Sequence, residues 1–495
     1  MKKTAILLTA MFMMGVANAQ YNETNNLFYH AQRIPQSNLL NPAFFPGNNS
    51  VYVTLPSTAL QFGFPLSVHD IVQYDAKQKA NVININSVFD KVSADNPFRM
   101  SADMGLFGFG FRTGNLFFDF NMQLRTNMTL GLSGGIVSAL TGGNMDDNGN
   151  PISKVTVLNG NVFNAQMYLE TSLGAGYELP VIPLTVGVHA KLLSGIFNIQ
   201  TDNTNIVIET DPNFDKVTAR IYYEAHESAA MPIDTAGGMG SVLSNMGKHL
   251  GECIETMFDP IKGNTGVAFD LGAKYDFGPL TFSASINDLS AGIHWQKNVN
   301  SVVPVGGQGV IEFEGMEINN LLNRGQMNMD SLKYIADQFK SLLPRFEQNT
   351  QDYWYNVPTK INLGVSYNFL KLLRAGLLFH GQFDRGLVSK QNPTSIDLSG
   401  NVTNTFRYNT TATLGLNVFD WIELILGTSL VFDGNKADFF NPGAGFVLSI
   451  GTAVQGYLIA DYISNIYITD AKAFNLKFGL NLLIGNGGRK RVLDI

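Results

Sequence analysis

Histidine, cysteine and clustered carboxylates are the side chains through which catalysis or metal binding usually becomes visible, and this chain carries seven His and one Cys. Their spacing assembles no such site. His226-Glu227 opens as a zinc-protease helix does, but the second His belongs four residues after the first, where Ala230 stands. Asn144 to Gly149 resembles the start of a calcium loop, yet its twelfth position is Val155, where a bidentate Glu is required. The Asp-Asn-Gly run reads instead as a loop tip. Cys253 follows Glu252, a neighbour that disfavours the thiolate, so it reads as a packed thiol. No phosphate-binding glycine loop appears. The residues therefore imply no enzyme, no cofactor and no metal.

A second group of ionisable residues follows a different logic. Glu170, His189, Lys191, Asp270, Lys274, Arg374, His380 and Asp384 each fall on the polar side of a segment whose other side is apolar. They are candidates for the lining of an aqueous lumen, hydrated or paired with one another.

The elements that position them are strands. Phe163, Ala165, Met167, Leu169, Leu173 and Tyr177 alternate with Asn164, Gln166, Glu170, Ser172, Gly174 and Glu178. The same period of two recurs over 267–277, 361–369, 406–418 and 474–484. Each run reaches the roughly 9–11 residues that a tilted strand needs to cross a bilayer. A soluble sandwich also alternates, but here Phe and Tyr gather toward the strand ends, as in an aromatic girdle. Connections alternate too. Tight ones lie at 112–115, 179–183, 276–279, 371–373 and 419–421; long ones run roughly over 132–161, 296–358, 385–405 and 433–443. Short turns on one rim and long loops on the other are the outer-membrane arrangement.

The expected fold is all-β: a transmembrane antiparallel β-barrel of about 14 strands, with both termini on the short-turn side. Short helical insertions are expected in long loops near 237–259 and 318–346. The weakest strand signals are at Val51–Phe64, Thr204–His226 and Phe446–Tyr462.

Composition agrees. Charged residues make up 15% of the chain, below the roughly 25% of soluble domains. Lys2 and Lys3, then an apolar stretch from Ala5 to Val16, then Ala17-Asn18-Ala19, read as a signal peptide over 1–19. The apolar stretch is shorter than the roughly 20 residues of a spanning helix. Loss of those two lysines takes the formal charge from −7 to −9, the wrong sign for nucleic acid. Residues 20–50 contain Pro35, Pro42 and Pro46 and lack alternation, so they are expected as a lumen or plug segment rather than a strand. Within it Asn41-Pro42-Ala43 is expected as a turn inside the barrel. Residues 51–485 form the barrel and 486–495 a periplasmic tail.

The stretch Ile34-Pro35-Gln36-Ser37-Asn38-Leu39-Leu40-Asn41-Pro42-Ala43-Phe44-Phe45-Pro46 resembles the opening of an uncharacterised family of outer-membrane barrels. That family is distantly similar to the long-chain fatty-acid channel and to an outer-membrane component of the type IX secretion system. The resemblance continues at 269–275, 284–289 with 293–295, and 357–364. It implies a roughly fourteen-stranded barrel with an N-terminal segment near the lumen, and no particular substrate. One departure is the end of the chain: the last strand closes at Ile484-Gly485 and a basic tail follows, where barrels usually end on an aromatic residue. Expected partners are outer-membrane lipid, the barrel-assembly machinery and other envelope proteins; the expected location is the outer membrane of a Gram-negative cell. Two functions follow: a channel or transporter for a hydrophobic or small solute, or a non-enzymatic adaptor barrel that docks secretion or surface partners.

Overall fold

The structure is a computed structural model. It describes residues 26–45, 51–63, 72–75, 80–83, 98–130, 154–159, 163–210, 216–230, 263–304, 309–314, 344–348, 351–369, 372–385, 404–419, 421–433, 436–450, 453–463 and 473–484. The signal, the tail, Cys253 and the 144–149 loop tip lie outside these residues.

Fourteen strands form the barrel wall. They are β1 (Val51–Gly63), β2 (Phe98–Thr113), β3 (Leu116–Leu130), β4 (Phe163–Glu178), β5 (Leu184–Thr210), β6 (Asn264–Phe277) and β7 (Leu280–Trp295). They continue as β8 (Thr359–Phe369), β9 (Leu373–Arg385), β10 (Asn404–Phe419), β11 (Ile422–Asp433), β12 (Lys436–Ile450), β13 (Val454–Asp461) and β14 (Ala473–Ile484). Each pairs antiparallel with the next. β1 closes the ring, pairing with β14 from Val51↔Ile484 and with β2 from Val51↔Phe111. Closure leaves no open sheet edge, the condition for strands to sit in lipid.

The two faces differ as the alternation requires. Along β6, Phe269 and Leu271 are 44% and 46% exposed, while Asp270 between them and Ala268 before them are fully buried. Exposed aromatics gather at the short-turn rim, among them Phe111, Phe118, Tyr177, Tyr275, Tyr367 and Trp421. Phe383, Phe406 and Phe474 mark the other rim. Two of the short turns reverse at glycines with left-handed backbone, Gly114 (φ 60°) and Gly278 (φ 58°), a conformation that glycine adopts without a Cβ penalty.

The long-loop side holds more sheet than the sequence suggests. The expected loop over 296–358 contains strands Val299–Pro304, Gly309–Glu314, Pro344–Gln348 and Tyr353–Asn356, and that over 132–161 contains Lys154–Asn159. β5 is 27 residues long and carries this extension beyond the wall, paired with Lys216–Ala229. The expected loop at 433–443 is mostly strand, because β12 resumes at Lys436. Pro442, which donates no ladder hydrogen bond, sits in register opposite Thr428, and the ladder shifts just beyond it, between the Ser429↔Asn441 and Val431↔Asp438 pairs. The helical insertion at 237–259 lies outside the described residues, as does 318–346 except its end, which sits in the strand Pro344–Gln348 rather than a helix.

Leu271→Arg puts a charge on the outward face and should cost about 2–4 kcal/mol if that position is near the bilayer midplane. Lys274→Ala, on the inner face, should change stability little. Urea unfolding of both variants in a bilayer checks this; equal losses would place Leu271 off the lipid face.

Candidate functional site

Residues 26–45 lie inside the barrel. A single helical turn, α1 (Asn26–Tyr29), leads to a 3-10 turn over Pro35–Leu39. Pro35 at its start is preorganised for a helical turn. Then Asn41 folds the chain back: its side-chain oxygen accepts from the Ala43 amide at 2.9 Å and its carbonyl accepts from Phe44 N at 2.9 Å. Asn is suited to this because its side chain mimics a backbone turn. Asn41 Nδ2 donates to Tyr29 Oη and to the Ala273 and Ala284 carbonyls.

The wall is shaped to receive this segment. A Cβ on Gly187 would stand 2.1 Å from the Pro42 carbonyl oxygen, and one on Gly272 would stand 2.2 Å from Asn41 Oδ1. Ser285 Oγ and Asn362 Nδ2 donate to the Leu40 carbonyl, and Asn287 Nδ2 to that of Leu39. Gln36 and Asn481 exchange two amide hydrogen bonds, 2.6 and 2.9 Å. Asp461 accepts from the amides of Asn26 and Leu27. On β11 to β13 apolar inner residues join the polar ones: Ile425, Val447, Tyr457 and Ile459 pack with Leu27, Phe28 and Ile34.

Beside this segment runs a buried chain of charges from β2 to β8. Lys191 Nζ lies 2.8 Å from Asp270, 2.7 Å from Asp288 and 3.4 Å from Glu170. Arg125 bridges Glu170 at 3.0 Å and Asp103 at 3.4 Å. His189 stands between Asp119 at 3.3 Å and Asp270 at 3.2 Å. Lys360 reaches Asp288 at 3.2 Å. Asp288 faces inward because of a bulge: it and Ser290 carry φ of 58° and 55°, and its amide donates to Asp270 Oδ1 at 2.8 Å. The hydroxyl nearest in register, Ser172 opposite Lys191, is wholly buried and offers no accessible nucleophile.

A cavity of about 170 Å³ lies against the segment, with Tyr29, Gln36, Leu39 and Leu40 on that side. Its other lining residues include Gln61, Arg99, Asp103 and Asn127, in the long-loop halves of β1 to β3. Asp119, Glu170, His189 and Asp270 stand behind the lining.

Of the residues singled out in the sequence, Glu170, His189, Lys191 and Asp270 come together in this network. His380 lines the cavity and its Nδ1 lies 2.6 Å from Asn362 Oδ1. Lys274 stands apart at the short-turn end, paired with Asp276 at 3.0 Å. Arg374 also stands apart; it binds Glu423 at 2.7 Å and donates to the His30 carbonyl. Asp384 falls opposite Thr405 at the far end of β9, and its side chain is outside the described residues. Sequence reasoning missed Asp103, Asp119, Arg125, Asp288 and Lys360. The parity of β3 carries Asp119 and Arg125 on one face with Asn121 and Gln123, so those two were available.

Residues 42–461 match the DUF5723 profile, a family of unknown function. The chain belongs to this family. No curated protein matches the sequence. Among solved structures, this DUF5723 member is similar to the toluene transporter TbuX of Ralstonia pickettii, with 10% identity over 91% of this chain and 92% of that one and a TM-score of 0.42. It is also similar to the toluene transporter TodX of P. putida, with 10% identity, 91% and 92% coverage and a TM-score of 0.39. A FadL homologue from Pseudomonas aeruginosa gives 9% identity, 94% and 99% coverage and a TM-score of 0.39. Likeness at this level carries no argument about function, which rests on the lumen itself.

Two predictions follow from the network and the segment. Lys191→Met strands Glu170, Asp270 and Asp288 without their shared cation and should cost about 3–5 kcal/mol. A urea unfolding midpoint that barely moves would mean that these carboxylates are hydrated. His30 is buried and neither ring nitrogen has a hydrogen-bond partner among the described residues. Burial, with the Arg374 guanidinium beside it, holds its imidazole down at about 3, against the usual 6.5. A released segment would therefore take up a proton that the seated one refuses. Seating should be undiminished above pH 6.5 and weaken as pH falls toward 3, by about 2 kcal/mol at pH 5. Melting temperatures of the protein and of His30→Gln between pH 8 and pH 5 check this; the slope should flatten in the variant.

Proposed function

We propose that the protein is an outer-membrane transport barrel, closed at rest by its own residues 26–45, which admits a small solute when that segment yields. The observation that carries this reading is the seat itself: notches at Gly187 and Gly272, with polar groups of the wall spent on backbone carbonyls of the segment. Such contacts are reversible, because water can replace each hydrogen bond at modest net cost. The cavity stands in line with the segment and joins it to the long-loop side. The apolar outer belt, together with the export signal expected from residues 1–19, supports an outer-membrane location. The lining is mixed, with amides, hydroxyls and charges among Tyr29, Leu39, Tyr168 and Leu378, which favours a small polar solute over a pure hydrocarbon.

The adaptor reading has one observation in its favour, the sheet that β5 carries beyond the wall on the long-loop side. That extension offers a docking surface without explaining why the lumen is fitted to a segment of its own chain.

Deleting Tyr21 to Pro46 should raise single-channel conductance in planar bilayers and lower the melting temperature together. Gly187→Leu should do the same to a lesser degree, because the clash is with the Pro42 backbone. Conductance that does not respond to either change would remove the transport reading and leave the adaptor.

A further inference from the structure

The cavity on the long-loop side of the segment has a chemistry of its own. We infer that it is a binding site for a small polyhydroxylated anion, of which a sugar acid is the simplest example. This deepens the transport reading and rests on it for the ligand's onward route, while binding itself is measurable on the closed barrel.

The charged lining is mostly cationic. Among the described residues, Arg99, Arg125, Lys191, Lys360, Arg407 and Lys477 line the cavity, against two carboxylates, Asp103 and Asp288. Glu170 and Asp270 stand behind the lining, where they neutralise Arg125 and Lys191. Lys477 is different. Among the described residues no carboxylate lies within 4 Å of it, and its Nζ sits 3.7 Å from the centre of the Phe28 ring. A ring face holds a cation loosely compared with an anion, so Lys477 is available to a ligand's negative group. Phe28 belongs to the seated segment, which puts the anion site at the joint between segment and wall.

Gln123 Nε2 and Gln166 Oε1 are buried with no protein partner, one a donor and the other an acceptor. A hydroxyl both donates and accepts, so a solute with several hydroxyls can offer a partner to each, the two glutamines standing four residues apart along the same pair of strands. Asn127 adds an amide around the same space. Tyr168 and Tyr355 also line it. A hydrocarbon chain satisfies none of the polar groups and would leave the two glutamines stranded. The space holds on the order of ten waters, enough for one small solute.

The test is calorimetric titration and thermal shift on the full mature chain in detergent, with glucuronate, glucose, inorganic phosphate and decanoate as probes. Glucuronate should bind saturably and raise the melting temperature. Glucose should bind at least tenfold more weakly, and decanoate should give no saturable heat. Lys477→Met should weaken glucuronate about tenfold and leave glucose unchanged, whereas Gln123→Leu should weaken both sugars. The second variant keeps the test open if the first fails to fold. Saturable decanoate binding without glucuronate binding would overturn the proposal. Phosphate binding as tight as glucuronate would overturn its hydroxyl half, and glucuronate affinity unaffected by Lys477→Met would overturn its charge half. Glucuronate binding without a conductance response to segment deletion upholds the site and removes the transport reading; the converse result removes the site alone.

Discussion

Eight strands close around a space that their own side chains fill, and each added strand widens it. At fourteen strands the inner face must be matched by something besides the wall. In lipid every backbone polar group is already satisfied within the sheet, so the inner side chains are left to find other partners. This chain meets the surplus with a segment of itself. Residues 26–45 bring backbone carbonyls, amide side chains and the rings of Phe28, Tyr29, Phe44 and Phe45 into the lumen, and wall glycines give them room. Gly187 and Gly272 are glycine because the Asn41-Pro42 turn occupies the place of a Cβ. Where the segment leaves space, the cavity remains.

The buried charges fit the same account. Ion pairs removed from water are weak evidence for stability in themselves, since desolvation offsets much of the attraction. Their value here is positional. Lys191 touches carboxylates of three other strands, β4, β6 and β7, and so fixes the relative heights of the wall beside the segment. The Asp288 bulge interrupts the regular β7 ladder to supply one of those carboxylates and to stand next to Asn287, which holds the Leu39 carbonyl. Position and polarity of the segment, the network and the cavity are thus set together, and a change in one should be felt in the others.

Much of the wall was legible because period-two alternation is a strong signal when one face meets lipid. It failed where that condition failed. The weak reading at Phe446–Tyr462 has a physical cause: on β12 and β13 the inner residues Val447, Tyr457 and Ile459 are apolar too, since they pack against Leu27, Phe28 and Ile34. Asp288 could not be placed by parity, because the bulge at Asp288 and Ser290 reverses the faces. Strands in the long loops were invisible for a related reason: beyond the bilayer neither face meets lipid, so neither must be uniformly apolar. Glu170, His189, Lys191 and Asp270 were individually legible as inward residues, but their meeting depends on cross-strand register, as in the Gly174↔His189 and His189↔Asp270 pairings, and register is not written in any one strand.

Residues 26–45 are seated in the lumen as a structured part of the barrel. Hydrogen–deuterium exchange on the full mature chain in detergent reads this directly. The amides of Ser37, Leu40, Asn41 and Phe44, which bond within the segment, should exchange slowly, on the timescale of the β6 ladder. Exchange of those amides within seconds, while β6 stays protected, would mean that the segment is a free tail and that something other than the chain's own N-terminal segment fills the lumen.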